Sequence, residues 1–327
     1  MNMAEKSSGR EAVLAALEAN REFFRRGGRD SVCRRREMLR HMLDFLRANR
    51  DKVYSALNAD LHKSEFEAAM TEFMPACDAL RFMIRKLPRL AKPKRAGLSI
   101  LNFPASGRIV PEPYGQVLVF ATWNYPLLLA LEPAAGALAA GNRAVLKLPD
   151  KSQRTTQFLR WMIEECFPNG EMIAVHEELA FDELLNEKFD YIFFTGGEAA
   201  GRLVYEAAAR TLTPVTLELG GKSPCIVRKD ADLALAAKRI AWGKFTNAGQ
   251  TCIAPDYLLV EHEARESFLV ELRQSIRAFY GDDPVNNPDY PWIIDEKQYE
   301  RLAKLAEHGR KSEASGLRKT MTRPNSL

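Results

Sequence analysis

The sequence has little of what would place it outside a reducing compartment. Its 327 residues contain five cysteines, Cys33, Cys77, Cys166, Cys225 and Cys252, odd in number and widely separated. No C-x-x-C pair and no Cys/His spacing suited to zinc occurs, so neither a disulfide framework nor a zinc site is legible. A reducing, cytoplasmic setting is expected. Apolar runs of membrane-spanning length are absent, and the opening MNMAEKSSGREAV lacks the apolar stretch of a secretory signal. Charge of one sign is not in excess: 47 basic and 43 acidic residues leave a formal +4, spread through the chain. That balance argues against nucleic acid as the main partner. No internal repeat is visible.

What is present is an ordinary globular composition, 46% hydrophobic and 28% charged. A chain of this length buries a substantial core without disulfides or structural metal. Residues 10 to 92 read as helical, with Met38, Met42 and Phe45 recurring beside Leu39, Leu43 and Leu46. Asp30 and Ser31 are candidate caps of that helix. A further helix is expected from about Ser64 to Pro88. LSILNFPASGRIVPEPYG (98–115) then reads as extended chain with turns. Beyond it strands and helices alternate: QVLVFAT, PLLLALEPAAGALAA, RAVLKL, a helix over about 150–166, EMIAVH, DYIFFT, a helix over about 198–210, and PVTLEL. This is the pattern of a doubly wound parallel α/β sheet. A second α/β unit begins near Gly220, and the last residues, from GRKSEASG onward, lack apolar periodicity.

Several polar segments carry chemistry. Cys252 sits in FTNAGQTCIAP, a loop of small and polar residues between a helix and a strand. A free cysteine is usually a buried, inert thiol; this loop instead predicts an exposed one. None of the five histidines lies near it in sequence. FTGGEAAG, after a strand and opening a helix, has the build of a phosphate cradle at Thr195, Gly196 and Gly197, although an ordinary glycine turn reads the same. Lys147 ends a strand, where it reaches either a ligand or nearby water, with Asp150 close by. The Asn124 amide in TWNYP either donates to an oxyanion or holds the turn before Pro126. Glu218, within PVTLELGG, has a raised pKa if desolvated, which suits a general base, or else is a buried acid paired with a basic side chain.

TWNYP (122–126), AAGNRAVLK (139–147), FTGG (194–197), LELGGKSP (217–224) and NAGQTC (247–252) occur in this order. Together they resemble the aldehyde dehydrogenase superfamily. TPVTLELGGKSP and TWNYP are most similar to its class 3 branch, which includes fatty and aromatic aldehyde dehydrogenases. The resemblance covers roughly residues 10 to 308. It implies NAD(P)-dependent oxidation of an aldehyde to a carboxylic acid. Cys252 is implied as the nucleophile that passes through a thiohemiacetal and a thioester. The Asn124 amide and the Cys252 backbone N–H are implied as the oxyanion donors, and Glu218 as the base that activates water. Lys147 and Asp150 are implied at the adenosine ribose, Thr195, Gly196 and Gly197 at the pyrophosphate, with Trp123 also on the cofactor side. A carboxylate at Asp150 favours a free 2′-hydroxyl, so NAD is expected, with NADP allowed.

The resemblance divides the chain into a helical N-terminal part of the cofactor domain (1–97), an extended bridging segment (98–115), a Rossmann-like NAD(P)-binding domain (116–219), an incomplete catalytic α/β domain (220–308) and a disordered tail (309–327). The match fades after about His308, and the family's E-x-F-G-P segment does not occur, so the chain is expected to be C-terminally truncated. The strand that usually joins subunits also lies past the match, which leaves a homodimer without its usual strand. Two alternatives follow. One is a truncated, inactive homologue that binds nucleotide or a partner. The other is an enzyme that passes the thioester to coenzyme A, against which Glu218 argues. An aldehyde is the expected small-molecule substrate, and no membrane segment is expected in this chain.

Overall fold

The computed structural model describes residues 3–311. The helical N-terminal pattern forms α1 (Met3–Arg25), α2 (Val32–Ala48), α3 (Arg50–Leu61), α4 (Glu65–Ala68) and α5 (Met74–Leu90), with one π turn at Ala69–Phe73. Of the two expected caps of α2, Ser31 serves: its Oγ accepts the Arg34 N–H at 3.1 Å. Asp30 instead pairs with Arg143 at 3.4 Å. Helix α5 does not stop at Pro88 but continues to Leu90. Proline has no N–H to give to the Ile84 carbonyl. Arg36 Nε donates to that carbonyl at 3.1 Å, so the helix continues with its acceptor satisfied.

The bridging segment carries a short antiparallel pair, β1 (Lys94–Ala96) and β2 (Gly107–Ile109). The alternating region gives β3 (Gln116–Phe120), α6 (Leu128–Ala140), β4 (Arg143–Lys147), α7 (Gln153–Cys166), β5 (Met172–Val175), α8 (Phe181–Asn186), β6 (Tyr191–Thr195), α9 (Glu198–Thr211) and β7 (Val215–Glu218). The five long-range strands are all parallel and run in the order β5-β4-β3-β6-β7. The first strand is central and the winding reverses beside it, which is the topology of a dinucleotide-type sheet. Every residue of β3 is buried, as both faces of a parallel sheet require. Helices α2, α5 and α6 pack together, burying Leu39, Met42, Leu80, Leu131 and Leu138. Helix α8 is not apparent from the apolar pattern; it is only six residues long, and Glu183 reaches back to the Ala180 N–H at 3.0 Å.

The remaining elements are β8 (Pro224–Val227), α10 (Leu233–Phe245), β9 (Tyr257–Val260), α11 (Arg265–Tyr280) and α12 (Glu296–Lys311). Strands β8 and β9 are parallel, so α10 is their crossover. Asp232 caps α10, accepting the Leu235 N–H at 3.0 Å. Phe268 and Leu272 of α11 pack on Ala237, Ile240 and Ala241 of α10 and on Val227. The tail expected past 308 falls, from 312 on, outside the described residues.

The chain divides into two compact units. The first contains Met1–Arg50, Phe73–Asp150 and Thr156–Glu218; the second contains Asp51–Glu72, Lys151–Thr155 and the chain from Leu219 onward. Residues 51–72, expected in the helical part of the cofactor domain, therefore group with the second unit. The reason is a set of polar ties. Asp60 accepts the Arg154 and Thr155 N–H groups at 3.0 and 2.8 Å, and Leu61 O accepts the Trp292 N–H at 2.9 Å. Lys63 and Glu72 form an ion pair at 2.6 Å within this segment, both side chains fully buried. Removing one member of such a pair leaves the other's charge uncompensated. Lys63→Met should lower the unfolding free energy by about 3–5 kcal/mol, read as a shift in the urea midpoint. Lys63→Met combined with Glu72→Met should cost less than Lys63→Met alone. A double variant as destabilised as the sum of the singles would show that the two charges do not depend on each other.

Candidate functional site

In the first unit, strand register aligns the candidate residues along one edge. Phe120 of β3 lies opposite Lys147 of β4 and Phe194 of β6, and Thr195 lies opposite Glu218 of β7. The segments after these strands, with Trp123, Asn124, Asp150, Gly196 and Gly197, thus share the carboxyl edge of the sheet, where ligands of open α/β sheets bind. Thr122 Oγ1 donates to Asn124 Oδ1 at 2.7 Å. That bond fixes the polarity of the amide, with its oxygen toward Thr122.

The two glycines of FTGG differ. A Cβ on Gly196 would meet the Phe194 ring at 2.6 Å, so close packing requires glycine there. A Cβ on Gly197 would meet nothing within 4 Å. Gly197 is the N-cap of the 14-residue α9, and its open side leaves the helix N-terminus approachable. Gly196 N–H is engaged, donating to Glu218 O at 3.0 Å. Lys147 Nζ reaches His176 O at 2.5 Å and Asp150 Oδ1 at 3.1 Å. His176 Nε2 lies 3.5 Å from the same carboxylate oxygen. Burial lowers the His176 pKa, and the charge of Lys147 adds to that shift.

Glu218 is exposed, so the condition for a pKa raised by burial is not met, and the alternative of a buried, paired acid does not apply either. It is the last residue of an edge strand, with a sheet neighbour on one side only, so the apolar sequence around it does not enclose its side chain.

Cys252 belongs to the second unit and is exposed, as its loop composition predicts. Cys77 and Cys166 are buried, and burial pushes the Cys166 thiol up to about 12. The loop before Cys252 is unusual in its backbone. Asn247, Ala248 and Gly249 have φ of 54°, 52° and 75°, three left-handed residues in succession. For a residue with a Cβ this conformation costs roughly 1–2 kcal/mol, and it persists only where the surroundings impose it. Gln250 supplies part of that support. Its Nε2 donates to Asn247 O and to Trp292 O, each at 3.0 Å, and its Oε1 accepts the Ile294 N–H at 3.0 Å. Glu67 supplies more, accepting the Asn247 N–H at 2.7 Å. On the other side of the loop, Gly221 lies against Cys252: a Cβ there would fall 2.4 Å from the Cys252 carbonyl oxygen.

Gly221, Gln250 and Glu67 are functional neighbours of Cys252 that no residue pattern assigns in advance. Gly221 lies in LELGGKSP and Gln250 in NAGQTC, so their place in those motifs is the signal that could have found them. Glu67 had none, because it is remote in sequence from the loop it supports. No cluster of ligating side chains suited to a metal occurs among the described residues.

The first unit is thus a doubly wound α/β sheet of dinucleotide-binding topology, and the second presents a thiol on a constrained loop. The chain belongs to the aldehyde dehydrogenase family, which it matches over residues 3–322. It is 38% identical over 290 residues to aldehyde dehydrogenase family 3 member A2 of Rattus norvegicus, an alignment covering 88% of this chain and 60% of the relative. It is 37% identical to 4,4'-diaponeurosporen-aldehyde dehydrogenase of Staphylococcus aureus, covering 88% of this chain and 62% of the relative. Among solved structures, the substrate-bound state of Staphylococcus aureus AldH superposes with a TM-score of 0.86 at 34% identity, covering 95% of this chain and 66% of that one. The chain therefore spans about 60% of the length of the curated relatives it matches.

The two neighbouring glycines of LELGG provide an internal control. Gly221→Ala should destabilise the protein by about 1–3 kcal/mol, the usual cost of overpacking. Gly220→Ala, where a Cβ meets nothing within 4 Å, should stay within about 0.5 kcal/mol of wild type. Thermal unfolding of both variants measures this, and equal stability would mean that Gly221 is not pressed against Cys252.

Proposed function

We propose that the chain carries the machinery for NAD(P)-dependent oxidation of an aldehyde to a carboxylic acid. The observation that supports this most is the exposed Cys252 at the end of a loop held in a costly backbone conformation. A buried structural thiol has no use for such a support. In this reading the Cys252 thiolate attacks the aldehyde carbon, and the sulfur–carbon bond forms as the carbonyl oxygen becomes an oxyanion. The Asn124 amide and the Cys252 backbone N–H are the donors for that oxyanion. Glu218 takes a proton from water, which attacks the thioester, and the acid leaves as the thiolate re-forms. The exposure of Glu218 is compatible with contact to water, though not with activation by burial.

The first unit suits a dinucleotide: the open side of Gly197 lies at the N-terminus of α9, and the Lys147–Asp150 pair stands at the end of β4. When bound, a nicotinamide dinucleotide accepts the two electrons and the hydrogen that leave the substrate carbon. Gly196, Gly197 and Thr195 would flank its phosphates, Lys147 and Asp150 its ribose, with Trp123 on the same edge. The Asp150 carboxylate favours NAD, because it repels a 2′-phosphate. The exposure of Glu218, which leaves that carboxylate without activation by burial, favours a second reading, in which this chain binds nucleotide without turnover. Among the described residues no helix is long and apolar enough to cross a membrane.

The test is absorbance of reduced cofactor on mixing purified protein with NAD and a medium-chain or aromatic aldehyde. Steady turnover is expected, reduced on the order of a thousandfold or more in Cys252→Ala. Nucleotide binding without turnover selects the second reading, and turnover that requires coenzyme A selects an acylating enzyme. Undiminished turnover in Cys252→Ala contradicts the role of the thiol. Gly197→Val should lower the unfolding temperature only slightly, by the cost of a poorer N-cap, while weakening NAD binding by calorimetry; unchanged affinity would remove the phosphates from this helix.

A further inference from the structure

The turn that leads to Cys252 is tied to a helix remote in sequence by one carboxylate. Glu67, in α4, accepts the backbone N–H of Asn247, the first of the three left-handed residues. Its side chain also lines a cavity of about 220 Å³ with Phe66, Met70, Trp242, Phe279 and Tyr280. The carboxylate is thus half-buried against aromatic groups while it holds the start of the loop.

We propose that Glu67 is a positioning residue for Cys252: its carboxylate fixes the first residue of the loop, and its charge state sets how firmly that loop is held. The proposal's bearing on catalysis rests on the reading of Cys252 as nucleophile, but the hold itself can be observed without turnover. Charged and titratable groups face Glu67 from several elements. Lys63 attracts its charge, while Glu72 and Asp289 repel it. Tyr280 of α11 and Tyr290 also feel it; burial raises the pKa of both phenols, and the charge of Glu67 adds to that rise.

Burial pushes the Glu67 carboxyl up to about 7, against the lowering effects of Lys63 and of the Asn247 hydrogen bond. Because that bond favours the ionised form, ionisation must strengthen the bond by reciprocity. Above about pH 7 the acceptor is charged; below it the acceptor is neutral and the bond is roughly half as strong. Provided Glu67 stays buried when the bond opens, breaking the bond removes a lowering influence and raises the carboxyl pKa further, so the closed loop is favoured as pH rises through neutrality; an opening that hydrates the carboxylate reverses that sign.

Hydrogen–deuterium exchange at the Asn247 amide of the full chain, corrected for the intrinsic rate at each pH, tests this. Wild-type protection should rise about tenfold between pH 6 and 8, the difference between a neutral and a charge-assisted bond. Glu67→Gln keeps an acceptor but cannot ionise, so its protection should be the same at both values. Glu67→Ala should lose protection at both. Wild-type protection that is constant within about twofold, or that falls as pH rises, overturns the proposal, as does a pH response that persists in Glu67→Gln. The wild-type and Glu67→Gln measurements decide the matter even if Glu67→Ala does not fold. Absence of aldehyde turnover would count against the nucleophile reading and leave this exchange result intact.

Discussion

The structure depends on one local constraint: the backbone around Cys252 has no room to relax. The Cys252 carbonyl oxygen sits too close to leave room for a Cβ on Gly221, and the preceding turn passes through three left-handed residues. Ala248 gains nothing intrinsic from that conformation, so the loop owes its shape to what surrounds it. The Gln250 amide ties it to the chain at Trp292 and Ile294, and the Glu67 carboxylate ties it to α4. Such cross-ties keep an exposed thiol in one place without enclosing it, which a reactive group needs if a substrate is to reach it.

The parallel sheet supplies a second kind of order. Its register alone brings the ends of β3, β4 and β6 to one edge, so residues far apart in sequence become neighbours without any specific contact between them. The central strand is buried throughout, which makes that edge a rigid frame for the polar segments beyond it. At the outer strand the frame is weaker. Glu218 pairs across to Thr195 on one side and is exposed, so its surroundings do not desolvate it.

Much of this was legible in the sequence because the signals were local or periodic. The strand–helix alternation gave the winding of the sheet, and small polar neighbours gave the exposure of Cys252. Misreadings arose where a distant residue altered a local rule. The local rule ends α5 at Pro88, but Arg36 satisfies the carbonyl that proline leaves. An apolar strand suggested a buried Glu218, but the strand's place at the sheet edge decides its exposure. Residues 51–72 continue the N-terminal helical pattern in sequence, while ties from Asp60, Leu61 and Glu67 join them to the second unit. No sequence pattern announces such long-range ties.

The fold presents the Cys252 thiol to solvent while hiding the thiols of Cys77 and Cys166. Brief treatment of the native protein with iodoacetamide, followed by peptide mass spectrometry, measures this directly. Rapid labelling of Cys252 is expected, with Cys77 and Cys166 labelled only after denaturation. Protection of Cys252 equal to that of Cys166 in the native protein would contradict it.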